Sequence, residues 1–235
     1  MQEKRQEFKK PSKKHEPKGL TILYEDKDII VVNKINGLLT ISTDKEREKT
    51  AYFLLTDYVK KGNSQSINRV FIVHRLDRDT SGILVFAKTE KVKRFLQDNW
   101  QQFHKTYFAV VHGKLQEKAG EITSYLAENK AHKMYSTKDP TEGKLAKTGY
   151  KVKRESNKFS LLEIDLFTGR KNQIRVHLAD KGHAIVGDKV YGKAEKNIKN
   201  LALHAASLSL IHPLTKEKMT FETPPPAYFK TLIKS

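Results

Sequence analysis

The first half of the chain alternates short apolar runs with polar stretches, which predicts strands and helices in close succession. Residues 29–32 (IIVV) are β-branched and flanked by polar residues, as expected of a buried strand. Thr50 precedes apolar residues at helical spacing and Gly62 follows them, so a capped helix is predicted between these two positions. Residues 71–73 and 82–87 are predicted to form short strands on either side of a polar turn.

A second helix and a longer strand are predicted next. Apolar residues on one helical face mark a helix that runs through residue 103. Residues 104–113 alternate well enough for a strand, with Tyr107, Ala109 and Val111 on one face. By this pattern alone Tyr107 is an aromatic at the edge of the core.

The second half of the chain repeats this succession. Residues 160–167 alternate as in a half-buried strand, and residues 201–211 are predicted to form another. Thr168 can cap a helix over about 169–181, which Gly182 would end. Because strands and helices are interspersed without strict βαβ order, we expect an α+β fold with a mixed, largely antiparallel sheet and flanking helices.

The length of 235 residues fits one domain with a substantial core. No apolar run approaches the roughly 20 residues that span a bilayer, and the amino terminus lacks the apolar stretch of a secretory signal. The chain has no cysteine, which excludes disulfides, thiolate metal sites and cysteine nucleophiles. We therefore expect a cytoplasmic protein that has no membrane partner and acts as a monomer.

The net charge of the chain indicates the kind of partner that it binds. Forty-five Lys and Arg against 27 Asp and Glu give a formal net charge of +18, which indicates a polyanionic partner, most often nucleic acid. The alternative is that the positive charge serves only to keep the protein soluble. Residues 1–18 are rich in charge and poor in apolar side chains, so we predict a flexible basic arm there and a folded domain at 19–235. The arm is either a frayed terminus without a role or a segment that binds phosphates.

The densest group of reactive side chains lies in residues 74–82 (HRLDRDTSG), between two predicted strands. A turn does not need two acids, two arginines, a histidine and two hydroxyls. Asp77 lies between Arg75 and Arg78 in sequence, so its ionised form is favoured if either cation folds over it. Two interpretations stay open here: a salt-bridged loop acid, or a carboxylate kept ionised as a nucleophile or general base.

A second candidate segment is residues 168–178 (TGRKNQIRVHL). A strand that ends in Thr-Gly and leads into a basic helix start places backbone N–H groups beside cations, which suits a phosphate or a carboxylate. Arg170, Lys171 and Arg175 cannot all share one helical face. Taken alone, the segment is equally well explained as a solvated amphipathic helix.

Other classes of site are disfavoured by the sequence. The nine histidines lack the spacing of zinc ligands and have no paired carboxylate motif beside them. Neither a phosphate-binding loop nor a Rossmann glycine pattern occurs. We therefore predict a protein that works without a metal or a cofactor.

With these segments in view, the chain resembles the RluA-type family of RNA pseudouridine synthases. The resemblance covers about residues 20–230 and is strongest at 74–82, which matches the signature around the family's catalytic aspartate almost residue for residue. Further matches follow in the family's order, at residues 23–34, 105–107, 169–170, 173–177, 182–188 and 203–205. The resemblance implies the pseudouridine synthase fold with a central catalytic cleft. It also implies an isomerase that needs no cofactor and acts on ribosomal or transfer RNA.

The resemblance implies roles for individual residues. Asp77 is implied as the nucleophile that attacks the target uridine, so that the N-glycosidic bond breaks and a C–C bond forms at C5. Arg175 is implied as its buried ion-pair partner, and Tyr107 as the aromatic that stacks on the uracil and could assist proton removal at C5. Arg75 matches the arginine that enters the RNA stack where the flipped nucleotide leaves. Substrate-binding roles are also expected for a polar set: Lys34, Arg78, Arg170 and Gln173.

The chain departs from the family pattern at two positions. Ile35 stands where proline is usual, and Asn172 stands where a histidine is common before Gln173. We expect both changes to affect local rigidity or RNA contacts more than chemistry. Some relatives carry a separate amino-terminal RNA-binding domain, but the predicted core begins near residue 20 and leaves no room for one.

Two other classes of function compete with this one. A non-catalytic RNA-binding or ribosome-assembly protein could keep the same fold, although binding alone needs no buried acid such as Asp77. A retaining glycosidase or a nucleoside hydrolase would need a second catalytic carboxylate, and none is evident.

Overall fold

The computed structural model describes residues 16–42, 46–193, 195 and 197–234. Within these residues the strands are, in chain order, β1 (Leu20–Glu25), β2 (Ile29–Lys34), β3 (Phe71–Ile72), β4 (Ser81–Ala87), β5 (His104–His112), β6 (Ala119–Glu128), β7 (Met134–Thr137), β8 (Lys144–Glu155), β9 (Phe159–Leu166), β10 (Leu203–Ile211) and β11 (Lys218–Glu222). The helices are α1 (Ala51–Lys60), α2 (Glu90–Asp98), α3 (Gln173–Asp180) and α4 (Tyr228–Lys234), and a 3₁₀ turn spans Trp100–Gln102.

The described strands form one mixed sheet in the order β1-β2-β4-β10-β5-β9-β8-β6-β7, with β11 beside β10 and β3 beside β4. Among these strands only β4 and β10 run parallel; the other neighbours are antiparallel. The predicted α+β fold with a largely antiparallel sheet is confirmed. We call β1–β4 the amino-terminal half of the sheet and β5–β11 the carboxy-terminal half, because the β4–β10 pair joins them.

The parallel pair is short and close. Ser81 and Gly82 pair with His204 and Ala205. Gly82 has a φ of +114°, and a Cβ added there would lie 2.2 Å from the carbonyl oxygen of Ala205. Only glycine permits both this backbone conformation and this approach. Because the last two residues of the reactive segment, Ser81 and Gly82, are the first two of β4, the close pair fixes where that segment ends.

Helices cover both faces of the amino-terminal half. Ile30 and Val32 of β2 pack in the cluster that contains α1, whereas Ile29 and Val31 pack in the cluster that contains α2. This explains why the run at 29–32 is apolar without alternation, since both of its faces are buried. In the carboxy-terminal half, β5, β9 and β10 pack against α3 and α4 in a third cluster.

The first predicted helix is confirmed at its start, and the second ends earlier than predicted. The Thr50 hydroxyl accepts a hydrogen bond of 3.2 Å from the backbone N–H of Phe53, which caps α1. Helix α2 stops at Asp98, five residues before the predicted end. The side chain of Asn99 donates to the carbonyl of Phe95 at 2.8 Å and closes the last turn, after which the 3₁₀ turn begins.

The third predicted helix begins later than expected. Helix α3 starts at Gln173 rather than near 169, and its N-cap is Asn172 in the left-handed conformation. The Thr168 hydroxyl does not cap a helix, because it accepts from the Lys147 N–H and donates to the Gln173 side chain, each at 2.8 Å. Residues 119–155, where β6, β7 and β8 lie, carried no prediction.

Two further predictions concern the chain as a whole. Residues 1–15 of the predicted arm lie outside the described part of the chain, so the arm stays a prediction. None of the helices in the described residues is long and apolar enough to cross a membrane.

Candidate active site

A cavity of about 350 Å³ opens where the two halves of the sheet meet. Its walls come from residues 74–80 before β4, from β5, and from residues 169–175 at the start of α3. The two segments singled out in the sequence therefore face each other across one cleft. A second cavity of about 340 Å³ adjoins it beside residues 39–42, and Asp77 lines both cavities.

The segment that carries Asp77 is anchored on the amino-terminal half. The Thr40 hydroxyl donates to the carbonyl of Leu76 at 2.8 Å and accepts from its N–H at 3.1 Å. His74 Nε2 accepts the backbone N–H of Val85 at 3.1 Å. Burial, and then the charge of Lys105, lower the pKa of His74 to about 3, so the ring is neutral. The backbone on the amino-terminal side of Asp77 is thus fixed before any substrate binds.

The carboxylate of Asp77 is held through one of its two oxygens. Oδ2 accepts a hydrogen bond of 2.6 Å from Asn172 Nδ2 and lies 3.4 Å from Arg175 Nη1. No described residue donates to Oδ1. The side chain is 24% exposed, so it borders the cleft rather than the core.

Arg175 has a second and closer carboxylate partner. Its Nε and Nη2 donate to the two oxygens of Asp188 at 2.7 and 2.8 Å. Asp188 is fully buried, and its Oδ1 also accepts the backbone N–H groups of Val190 and Tyr191. Burial opposes ionisation of Asp188, but the hydrogen bonds and charge of Arg175 outweigh it and hold its pKa below the usual range. The predicted contact between Arg175 and Asp77 exists, yet it is the weaker half of a three-residue network.

Tyr107 lies on β5 at the wall of the same cavity and is partly buried. Burial, and then the charge of Asp77, raise the pKa of its phenol above the ordinary value of 10.0. The phenol is therefore neutral at pH 7. The structure brings Asp77, Tyr107 and Arg175 together in one cleft.

The comparison with known proteins shows the family of this chain. Residues 28–180 match the family model described as RNA pseudouridylate synthase. This chain belongs to that family. The uncharacterized RNA pseudouridine synthase YhcT of Bacillus subtilis (strain 168) is 36% identical over 221 residues, which cover 92% of this chain and 72% of that protein.

Two further relatives extend the comparison. The ribosomal large subunit pseudouridine synthase C of Buchnera aphidicola subsp. Schizaphis graminum is 34% identical over 229 residues, which cover 91% of this chain and 70% of that protein. The solved structure of human RNA pseudouridylate synthase domain containing 4 shares the fold with a TM-score of 0.74 at 24% identity, over 89% of this chain and 90% of that one. The resemblance to the RluA-type family and the isomerase class are confirmed.

The three arginines of this synthase that are expected to bind substrate lie at the two cavities. Arg75 is exposed and lines both of them. Arg170 lines the first, where its Nε donates to the carbonyl of Leu145 at 3.0 Å. Arg78 lines the second, is exposed, and lies 3.5 Å from a carboxylate oxygen of Glu46.

The other two expected substrate-binding residues lie inside the protein. Lys34 is 0% exposed, and its ammonium donates to the backbone carbonyls of Ile35, Leu38 and Arg78 at 3.0, 2.8 and 3.1 Å. Burial lowers the pKa of Lys34 to about 7, although the charges of Asp79 and Asp77 oppose the shift. The side chain of Gln173 is also buried; its partners are Thr148, Thr168 and the backbones of Lys147 and Arg170. These contacts favour a structural role for both residues rather than contact with RNA.

Sequence reasoning missed two residues of this site. Asp188 lies in a segment that matches the family, but neither the sequence pattern nor the resemblance gives it a role. The sequence marks Asn172 only as a departure from the family pattern, yet Asn172 donates the shortest hydrogen bond to Asp77. Its position two residues after Arg170, at the start of a basic helix, was the available signal.

One cluster of possible metal ligands occurs in the described residues, away from the cleft. Ligand atoms of Asp26, Asp28 and His212 lie within 4.8 Å of one another. Both ring nitrogens of His212 are in use, because Nε2 bonds Asp26 at 2.8 Å and Nδ1 accepts the N–H groups of Leu214 and Thr215. The cluster therefore ties the β1–β2 turn to the β10–β11 turn, which is a structural role.

Proposed function

We propose that this synthase converts specific uridines of structured ribosomal or transfer RNA into pseudouridine, with Asp77 as the nucleophile. The observation that carries the proposal is the asymmetry of the Asp77 carboxylate, whose donors both lie on Oδ2 while Oδ1 has none among the described residues. The other carboxylate beside Arg175, that of Asp188, is fully buried and has both oxygens bonded to the guanidinium. The contrast favours a reactive acid over a salt-bridged loop acid.

The reaction fits the contents of the cleft. Asp77 forms a bond to the target uridine and the N1–C1′ bond breaks. The freed uracil then turns, and a C5–C1′ bond forms while the bond to Asp77 breaks and releases the carboxylate. C5 loses one proton and N1 gains one, so the product is an isomer and no oxidant or reductant is consumed. Arg175 Nη1 lies 3.4 Å from Asp77 Oδ2 and so places a positive charge beside the carboxylate that attacks. A cavity of about 350 Å³ lies in the range that small ligands occupy and can receive one extruded nucleotide.

Tyr107 is proposed to stack on the uracil rather than to act as the base. Its pKa is raised, so very little phenolate is present at neutral pH to take a proton from C5. An aromatic ring at the cavity wall still offers a face for a flat base.

Arg75 is proposed to stabilise the RNA from which the uridine has left. Extruding a base costs a few kcal/mol of lost stacking, which a planar charged side chain can offset by occupying the gap. Arg75 is exposed at the rim of both cavities, where such a contact is possible. Arg170 and the exposed Lys171 lie on the opposite wall and can contact phosphates.

Release of tritium from transcripts labelled at uridine C5 tests the proposal, because that hydrogen leaves only if C5 forms a new bond. Wild-type protein should release tritium and form pseudouridine in single-turnover reactions. The Asp77→Asn variant should bind RNA and stay folded but release none, since an amide is a far poorer nucleophile. Asp98→Asn, a change at an exposed aspartate at the end of α2, is the matched control and should react like wild type.

Each competing hypothesis predicts a different result. A non-catalytic RNA-binding protein would bind the transcript without tritium release, and a glycosidase would liberate free uracil. An Asp77→Asn variant that forms pseudouridine at an appreciable rate would refute the assigned nucleophile.

The choice of RNA is the finer part of the proposal. The name of the Buchnera relative refers to the large ribosomal subunit, which supports ribosomal RNA as the first substrate to test. Mapping pseudouridine in total RNA from cells with and without this protein should show one or a few sites that disappear in its absence. If the sites that disappear lie only in transfer RNA, the substrate would be transfer RNA and the proposed reaction would stay the same. The cytoplasmic location and the monomeric state stay predictions.

A further inference from the structure

The hydrogen bond from Asn172 is the closest contact that Asp77 makes with a donor side chain. Asn172 Nδ2 lies 2.6 Å from Asp77 Oδ2, compared with 3.4 Å for Arg175 Nη1. The guanidinium cannot simply move closer, because its Nε and Nη2 are held by Asp188. The orientation of the Asp77 carboxylate therefore depends more on a neutral amide than on the nearby cation.

The backbone at Asn172 is arranged for this contact. Its φ and ψ are 53° and 17°, in the left-handed region that asparagine tolerates better than most residues. It occupies the N-cap of α3, where an asparagine side chain usually accepts a backbone N–H of the first turn. No such bond is made here, and the side chain turns to Asp77 instead. Helix α3 therefore lacks a side-chain hydrogen bond at its N-cap, and the Asn172 amide bonds the Asp77 carboxylate instead.

We infer that Asn172 is a positioning residue that holds Asp77 by Oδ2 and so presents Oδ1 to the substrate. The inference rests on the proposed function, since it assigns the role of Asn172 through Asp77. A histidine side chain also carries an N–H donor, so a histidine at this position would keep the donor while changing the group that supplies it.

Asn172→Gly is the most direct test, because glycine keeps the left-handed backbone and removes only the amide. We expect the single-turnover rate to fall about 10-fold to 100-fold, the scale at which misplacement of a reacting group is felt. The Kd for RNA should stay within about two-fold of wild type, since one uncharged group is lost. Lys61→Gly is the matched control, because Lys61 also has a φ of 53° and lies at the end of α1.

Rescue by a second donor gives a readout that a purely structural role would not move, because it depends on the chemistry of the side chain and not on its size. Asn172→Asp keeps the size of the side chain but has no N–H to donate when ionised, so it should lose at least as much rate as Asn172→Gly. Asn172→His should restore the donor and recover most of the rate.

A wild-type single-turnover rate in Asn172→Gly would overturn the inference. If that variant does not fold, Asn172→His and Asn172→Asp decide, since histidine and aspartate both tolerate the left-handed backbone. Equal activity of those two variants would overturn it as well, whereas an active His variant and an inactive Asp variant would support it. Failure of the proposed function shows separately, as wild-type protein that forms no pseudouridine or as an active Asp77→Asn variant.

Discussion

Asp188→Asn should destabilise the protein far more than Asp77→Asn, although both changes remove a carboxylate beside Arg175. Asp188 is fully buried and bonds the guanidinium at 2.7 and 2.8 Å. Asp77 is 24% exposed and lies 3.4 Å from Nη1. The sequence resemblance names only Asp77 as the partner of Arg175, and on that basis Asp77→Asn would leave a buried cation unpaired.

The magnitudes follow from burial. Removing one partner of a buried ion pair costs roughly 3–5 kcal/mol, because the remaining charge stays in a medium that solvates it poorly. For a domain of this size each kcal/mol lowers Tm by roughly 2–4 °C, so Asp188→Asn should lower it by about 6–20 °C. The exposed and longer contact of Asp77 is worth about 1 kcal/mol or less, which corresponds to a few degrees. Asp188→Asn should also slow the reaction. The guanidinium of Arg175, no longer held by a carboxylate at Nε and Nη2, can rotate toward Asp77 and change how its carboxylate is held.

Chemical and thermal unfolding of the two variants measure this difference directly, with Asp98→Asn as the surface control that should stay within about 0.5 kcal/mol of wild type. The same preparations assayed for tritium release should separate stability from chemistry. Asp77→Asn should be stable and inactive, and Asp188→Asn should be unstable and partly active. Equal losses of stability in the two variants would refute the conclusion that Asp188 is the main partner of Arg175.

Three further predictions follow from buried polar groups and close backbones. Burial lowers the pKa of His177 and His204 to about 4 from 6.5, so the unfolded chain takes up protons first and stability should fall between about pH 6.5 and 4. Each histidine contributes about 1.4 kcal/mol per pH unit, and a free energy of unfolding that is constant from pH 7 to 4.5 would contradict this. Gly82→Ala should cost about 3 kcal/mol in urea unfolding because the β4–β10 contact must open, whereas Gly62→Ala has open space and should cost about 1. Lys34→Met should cost about 2–4 kcal/mol in the same assay by leaving three carbonyls without their donor, and unchanged stability would show that other groups replace it.

The elements predicted well from the sequence are those whose cause is local. The run at 29–32 and the helix after Thr50 each depend on side chains within a few positions. Residues 119–155 are different, because β6, β7 and β8 expose one face and their polar residues blur the alternation that marks a strand. Thr168 shows the same limit at a predicted helix start, since its hydroxyl accepts the backbone N–H of Lys147 on β8 and does not cap a helix.

Asp77, Tyr107 and Arg175 are predicted from the sequence as members of the candidate site, but Asn172, Asp188 and their contacts are not. Asp77 and Arg175 lie 98 positions apart, and only the resemblance placed them together. The resemblance could not show that Asp188 binds most of the guanidinium, because no local pattern encodes a contact between helix α3 and the loop that follows it. The departure at Ile35 has a local consequence in the structure. The Ile35 N–H donates to the carbonyl of Gly19 at 3.1 Å, a bond that proline cannot make.

The two sides of the Asp77 network come from different halves of the sheet. Thr40 and Lys34 hold the backbone around Asp77 from the amino-terminal half, whereas Asn172 and Arg175 hold its carboxylate from the carboxy-terminal half. The reactive geometry therefore depends on how closely the halves meet at β4 and β10. A change that widens this junction should lower the reaction rate as well as stability, because it moves the carboxylate away from its donors without altering any of them. Gly82→Ala, assayed at a temperature where it remains folded, should thus react more slowly than Gly62→Ala, and equal rates would show that the site tolerates displacement of the two halves.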